Sequence, residues 1–148
     1  MIVVTGGDGF IGQNLVNELT RRGAIGVISL DTKNETLDSI FSWLINHAKE
    51  IDCIYHLGAI TDTTVMDRNL FDEYNVAASI FIWNLCAEYK IPLVYASSAA
   101  TYGDGKEGFD DERDILLHRQ NIGRSHIINI NEVTKLFSVS IIWTMGCK

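Results

Sequence analysis

An α/β fold with a doubly wound, parallel sheet is predicted from three observations. Short apolar runs rich in β-branched residues alternate with stretches of helical periodicity, the pattern of strand–helix–strand units. A glycine-rich turn, "TGGDGFIG" beginning at Thr5, joins the first run to the first helical stretch. The chain has 148 residues, 47% of them apolar and 21% charged, enough for one domain with its own core.

Taken in order, "IVVT" (2–5) reads as a strand buried on both faces. From Phe10 the period changes, and Ile11, Leu15, Val16 and Leu19 form the stripe of a first helix that Gly23 stops. "GVISLD" (26–31) is the second strand, which implies a right-handed parallel crossover. A second helix is predicted over 36–49, with Leu37, Ile40, Phe41, Leu44 and Ile45 on one face. "DCIYHL" (52–57) is the next strand. A long helix over 68–89 carries Leu70, Tyr74, Ala77, Ala78, Phe81 and Leu85 on its inner face. "IPLVYAS" supplies a strand at 92–97, with Pro92 tolerable at its first position. "YGDGKEGFDDERD" (102–114) is a Gly- and acid-rich loop. Beyond Leu116 the periodicity weakens to a tail of no assigned fold, in which 139–143 is a candidate last strand.

The net charge of −7 argues against nucleic acid or an anionic membrane as partner, since both demand a basic face. No apolar run approaches the ~18 residues of a membrane span, and the start lacks a basic n-region. Cys53, Cys86 and Cys147 show no C-x-x-C spacing and cannot all pair. They fit a reducing compartment rather than a metal site, so a cytoplasmic protein without metal is expected.

Gly6, Gly9 and Gly12 stand at G-x-x-G-x-x-G spacing between a strand and a helix. Gly6 permits the tight turn, Gly9 lets backbone approach a pyrophosphate, and Gly12 lets the helix pack close to the sheet. Phosphate would lie on the helix N-terminus, where free N–H groups point outward. Asp31 ends the second strand nineteen residues after Gly12, where a carboxylate accepts hydrogen bonds from an adenosine ribose. The combination predicts a dinucleotide site for NAD or NADP. Asp31 favours a free 2′-hydroxyl, whereas Lys33 reads either as a partner for a 2′-phosphate or as a solvated loop charge.

With the glycine loop, "HLGAITDTT" (56–64), "YNVAAS" (74–79) and "VYASSAATYGDG" (94–105) resemble the extended short-chain dehydrogenase/reductase superfamily. Within it they are similar to the ADP-L-glycero-D-manno-heptose 6-epimerases, over about residues 1–112. The resemblance implies a Rossmann-like fold and a tightly held NADP or NAD that exchanges hydride with a nucleotide-sugar of the ADP-heptose kind. It implies cofactor contacts from Phe10, Ile11, Leu57, Gly58, Ala59 and Asn75 beside the glycine loop. It places Thr61, Thr63, Thr64, Ala99 and Ala100 near substrate, and makes Ser98 a catalytic hydrogen-bond donor. Asn75 would hold a water or a backbone carbonyl, against the plainer reading of a polar residue on a helix surface. His56 is assigned to structure, not to catalysis.

The chain departs from that pattern in three places. Only one helix lies between the strand ending at Asp31 and the one beginning at Asp52, so a strand of the usual set is expected to be missing. Its absence leaves a sheet edge open to pairing with a second chain. The family's Y-x-x-x-K falls on Ile122 and His126 of "NIGRSH". Isoleucine transfers no proton, histidine is a poorer permanent cation than lysine, and Tyr102 is the nearest phenol in sequence to substitute. In the family a second, substrate-binding domain follows the sixth strand, near where this sequence stops, and it is expected to be missing here. The sequence supports a sugar-nucleotide epimerase scaffold that is truncated or inactive, or alternatively a non-catalytic dinucleotide-binding or regulatory module that pairs with a full-length homologue.

Overall fold

β1 (Ile2–Thr5) lies inside the sheet, and its Val3 and Val4 are fully buried. The computed structural model describes residues 1–62 and 64–96, with the backbone of 142–145. β2 (Val27–Leu30) and β3 (Cys53–His56) pair with the two edges of β1, both in parallel. β4 (Leu93–Ala96) follows in parallel on β3. The strand order is β2-β1-β3-β4-β5.

The parallel sheet expected from the sequence is present in the first four strands. The fifth differs. It lies at Ile142–Met145 rather than 139–143, and it runs antiparallel to β4. An antiparallel edge strand on a parallel sheet is a common arrangement. At the other side no described strand pairs beyond β2, as the short connection from Asp31 to Asp52 predicted.

Helix α1 (Phe10–Arg21) fills the first crossover, and Gly23, at φ 84°, turns the chain after it. Ile11 was expected on the inner stripe but is half exposed. It sits in the first turn, beyond the end of β1, where no sheet lies beneath it. Helix α2 (Leu37–His47) is capped by Thr36, whose hydroxyl accepts the Ser39 N–H at 3.2 Å. Ile40 and Leu44 are buried, whereas Ile45 is half exposed, so the inner face is narrower than predicted.

The predicted long helix is interrupted. α3 (Arg68–Phe71) runs through a π-helical turn (Asp72–Ala77) into α4 (Ala78–Tyr89). A π turn holds an extra residue and so rotates the faces of the two flanking helical segments relative to each other. The inner face is therefore Phe71, Asn75, Ala78, Ile82 and Leu85. Leu70 and Ala77 point outward, against expectation, while Ala78 and Leu85 lie where the period put them.

The main core joins Val3, Leu30, Ile54 and Leu93 of the sheet to Ile40 and Leu44 of α2 and to Ile82, Leu85 and Cys86 of α4. Phe41 stacks on Phe81 with ring centroids 4.0 Å apart, tying α2 directly to α4. Helix α1 contributes nothing to this cluster. It packs on the opposite face through Gly12, so the sheet is covered on both sides, as the doubly wound reading requires. A Cβ on Gly12 would lie 2.1 Å from the Gly6 carbonyl oxygen and 2.6 Å from the Gly7 Cα. Both obstacles are backbone, so relief requires moving the helix or the turn. Gly12→Ala is expected to cost about 2 kcal/mol, in the range of core overpacking. A lower urea midpoint at an unchanged slope would show it.

Candidate functional site

The carboxyl ends of β1, β2 and β3 open into a cleft of about 460 Å³, the size of a small-molecule site. Its floor is the glycine turn. Gly6 adopts φ +70°, a conformation that suits glycine. A Cβ there would lie 2.6 Å from the backbone of Gly58, so the turn after β1 and the strand end after β3 touch. The turn is closed by the Gly9 N–H donating to the Gly6 carbonyl at 3.1 Å. Gly9 has an extended backbone that any residue can take, and a Cβ on it meets only the Gly6 oxygen within 4 Å. A side chain at Gly9 therefore grows into the cleft. The first turn of α1 comes directly after it, presenting its unpaired N–H groups there.

Asp31 follows the last residue of β2 and is buried. One carboxylate oxygen accepts the Asp8 N–H at 2.9 Å and the other the Lys33 N–H at 3.0 Å. These bonds fix the carboxylate at the rim of the cleft and leave further lone pairs free. The Lys33 ammonium is not simply solvated: it donates to the Asp8 carbonyl at 2.7 Å. Phe10, exposed, lines the cleft together with Ile11, Leu57, Gly58, Ala59 and Thr61. At its inner end the walls are apolar, formed by Leu37, Ile40 and Phe41 of α2 and by Ala78 and Ile82 of α4. Helix α2 thus closes the side on which the expected strand is absent.

Asn75 is buried, which rules out its reading as a polar residue on the helix surface. Its side-chain oxygen accepts the Ile60 N–H at 2.7 Å, and its amide donates to the Ile60 carbonyl at 3.0 Å. It clamps the segment after β3 against the π turn. In that segment Asp62 accepts from the hydroxyl and the N–H of Thr64, which hold its carboxyl below the ordinary range.

His56 is buried beneath the cleft and both ring nitrogens are engaged, Nδ1 with the Thr5 hydroxyl at 2.6 Å and Nε2 with the Ser79 hydroxyl at 2.9 Å. Burial pushes its pKa down to about 4. Neutral and doubly bonded, it joins β1, β3 and α4 under the glycine turn. Cys53 and Cys86 form no disulfide, and burial pushes the Cys86 thiol up to about 11. Among the described residues no helix is long and apolar enough to cross a membrane.

The glycine triplet, Asp31, Lys33 and the 57–61 segment thus surround one cleft. Ser98, Thr63, Ala99, Ala100, Tyr102, Ile122 and His126 lie outside the described residues, as does Cys147. Thr64 is described and exposed, but it does not line the cleft. Four contributors were missed from sequence. Gly7 packs where a Cβ would meet the Ser29 side chain at 2.0 Å, and Asp8, Ser29 and Asn34 meet in one cluster. Only the position of Gly7 and Asp8 inside the glycine motif could have signalled them.

A strand, a glycine turn that admits no side chain at Gly6 or Gly12, a helix N-terminus and an acid at the next strand end define a dinucleotide-binding domain. The residues fit such a group because Gly9 lines the cleft and a side chain there would enter it. The chain belongs to the NAD dependent epimerase/dehydratase family, whose model matches residues 2–122. It is 35% identical over 130 residues to the ADP-L-glycero-D-manno-heptose-6-epimerase of Fusobacterium nucleatum, covering 76% of this chain and 39% of that one. It is 38% identical over 121 residues to that of Alkalilimnicola ehrlichii, covering 70% of this chain and 38% of that one. The chain spans about two fifths of the length of these curated relatives. Solved structures share the fold. The Helicobacter pylori ADP-L-glycero-D-manno-heptose-6-epimerase aligns at TM-score 0.59 and 24% identity, over 76% of this chain and 44% of that one. A Bacillus anthracis dTDP-4-dehydrorhamnose reductase in complex with NADP aligns at 0.62 and 19%, over 86% and 49%. A Thermus thermophilus UDP-glucose 4-epimerase in complex with NAD aligns at 0.59 and 23%, over 82% and 51%.

Burial of neutral His56 has a consequence for acid stability. The unfolded chain takes up a proton near pH 6.5, and the folded one only near pH 4. Between those values the unfolded state binds more protons, so stability falls as pH falls. The loss is about 3 kcal/mol across the window, with no contribution from this group above it. In His56→Asn the difference from wild type, read from denaturation midpoints at pH 4 to 7, is expected to shrink steadily toward low pH.

Proposed function

We propose that this chain is the cofactor-binding part of a nucleotide-sugar epimerase scaffold, that it binds NAD or NADP, and that it does not turn over ADP-heptose. The observation that carries the binding is the backbone contact among Gly6, Gly12 and Gly58, with Asp31 held at the rim above it. Space is cleared where a pyrophosphate would meet helix N–H groups. The Asp31 carboxylate is positioned to accept from the adenosine ribose, and the apolar end between α2 and α4 fits a purine ring. Bound there, a nicotinamide dinucleotide supplies a hydride acceptor or donor.

The reading of weak or absent catalysis rests on residue type. Ile122 and His126 stand where the resembling family has tyrosine and lysine. Proton transfer by a positioned side chain is worth ~10²–10⁴-fold in rate, and isoleucine can provide none of it. The similarity to ADP-heptose 6-epimerases supports a nucleotide-sugar of that kind as the ligand class of the ancestral site. The outer side of β2, on which no described strand pairs, supports the second reading, a binding module that pairs edge to edge with another chain. A cytoplasmic location is supported by the cysteine spacing, which suits a reducing compartment.

Calorimetry with NAD and with NADP is expected to give weak binding, and no heat with either at millimolar ligand would sink the proposal. In Gly9→Val the side chain occupies the cleft at little backbone cost, so binding should be lost while the fold is kept. An assay with ADP-heptose and either cofactor is expected to show no C6 epimerisation. Turnover at the ~1–10³ s⁻¹ of ordinary enzymes would refute the inactive reading.

A further inference from the structure

The outer edge of β2 has a fixed set of backbone groups to offer. The Gly26 and Leu30 carbonyls accept from the Ile2 and Gly6 N–H groups at 3.0 and 2.8 Å, so these residues turn their backbone toward β1. Successive residues of a strand turn theirs to opposite edges. The N–H and C=O of Val27 and Ser29 therefore point away from β1, to a side where no described strand pairs. The strand, Val-Ile-Ser-Leu, carries neither a charge nor a proline, two devices that keep an edge from pairing. Ile25, just ahead of it, is 93% exposed. The two ends of β2 also differ in charge. Before it, at the end of α1, Arg21 and Arg22 share one carboxylate, Glu18, each at 2.7 Å. After it, the N–H groups of Asp8, Lys33 and Glu35 all donate to Asp31, at 2.9, 3.0 and 3.1 Å. That end thus gathers residues bearing three carboxylates and one ammonium.

We infer that this edge is the interface of a two-fold symmetric dimer, in which β2 pairs antiparallel with β2 of a second copy of the chain. The inference deepens the edge-pairing reading and rests on it. A two-fold axis at Ile28 sets Val27 of each copy opposite Ser29 of the other, where opposed residues exchange both backbone bonds. The outward groups of Val27 and Ser29 are then satisfied in both copies, and none is left for a third. The same arrangement brings the Arg21–Arg22 end of each copy beside the Asp31–Glu35 end of the other. Each copy carries a net charge of −7 and repels the other at a distance, so the local match decides how they meet. Parallel addition sets like ends together; antiparallel pairing sets opposite ends together. A second copy thus brings the complementary charge and the complementary register at once.

The test is sedimentation equilibrium of the full chain, with hydrogen exchange of the β2 amides, for wild type, Val27→Pro and Ile28→Cys. Wild type is expected to reach twice the monomer mass at about 0.1 mM protein, the range of a small interface, with slowed exchange at Val27 and Ser29. Val27→Pro removes an N–H that β1 does not use, so the fold should survive while the dimer weakens at least about tenfold. Val27→Lys, a charge on the edge, reads the same loss should the proline variant not fold. Ile28→Cys sets two thiols across the axis, with Cα atoms about 4.5 Å apart. Oxidised glutathione should then join two copies by a disulfide, itself reduced to thiol, faster than it links wild type. A monomer at about 1 mM, a dimer undiminished in both edge variants, or no faster linkage in folded Ile28→Cys would each overturn the inference. Monomers whose Val27 and Ser29 amides slow only on adding the purified full-length Fusobacterium nucleatum epimerase would overturn it and keep the edge-pairing reading. Monomers with fast exchange at both residues in either case would overturn both.

Discussion

The structure depends on one close approach, that of the first turn of α1 to the turn after β1. Gly6 lies against the backbone of Gly58 and Gly12 against the backbone of Gly6 and Gly7, at distances that no Cβ on Gly6 or Gly12 would permit. That contact sets how near α1 lies to the sheet, and so where its N-terminus points. It also places the end of β3 against the end of β1, so that the 57–61 segment leaves along the cleft rather than away from it. His56 secures the same junction from below with its two hydroxyl partners. A buried imidazole without those partners would be a net cost. With them it joins two strands and a helix at the point where the backbone has no side chains to do so.

The second constraint is the short connection between Asp31 and Asp52. With no room for a further strand, α2 packs directly on α4 through the stack of Phe41 on Phe81. The same helix lends Leu37 and Phe41 to the cleft. Loss of a strand thus removes a sheet neighbour for β2 without removing the apolar wall. The cost falls on the edge of β2, whose outer backbone groups have no described partner strand.

Much of this fold is legible in the sequence because it depends on period and on residues with special conformations. "IVVT", the helix from Phe10, the helix predicted over 36–49 and the Asp31 position each follow from local rules, and the structure places them within a residue or two. The errors fall where local rules lose their reach. A regular 3.6 period cannot contain a π turn, so it puts Leu70 and Ala77 inward when Phe71 and Asn75 are the buried residues. Ile11 has the right period, but it lies past the sheet. The polar cluster of Asp8, Ser29, Lys33 and Asn34 joins residues far apart in sequence through hydrogen bonds, which carry no periodicity.

The cofactor cradle and the expected chemistry belong to separate stretches of chain. The described hydrogen bonds that shape the cradle, between Asp8 and Asp31, between Asn75 and Ile60 and from His56 to Thr5 and Ser79, are made within the first 79 residues. By the sequence resemblance, the family's proton-transfer positions are assigned to Ile122 and His126, outside the described residues. A catalytic pair without the close approach of Gly6 to Gly12 and Gly58 would have no cofactor cradle to work beside.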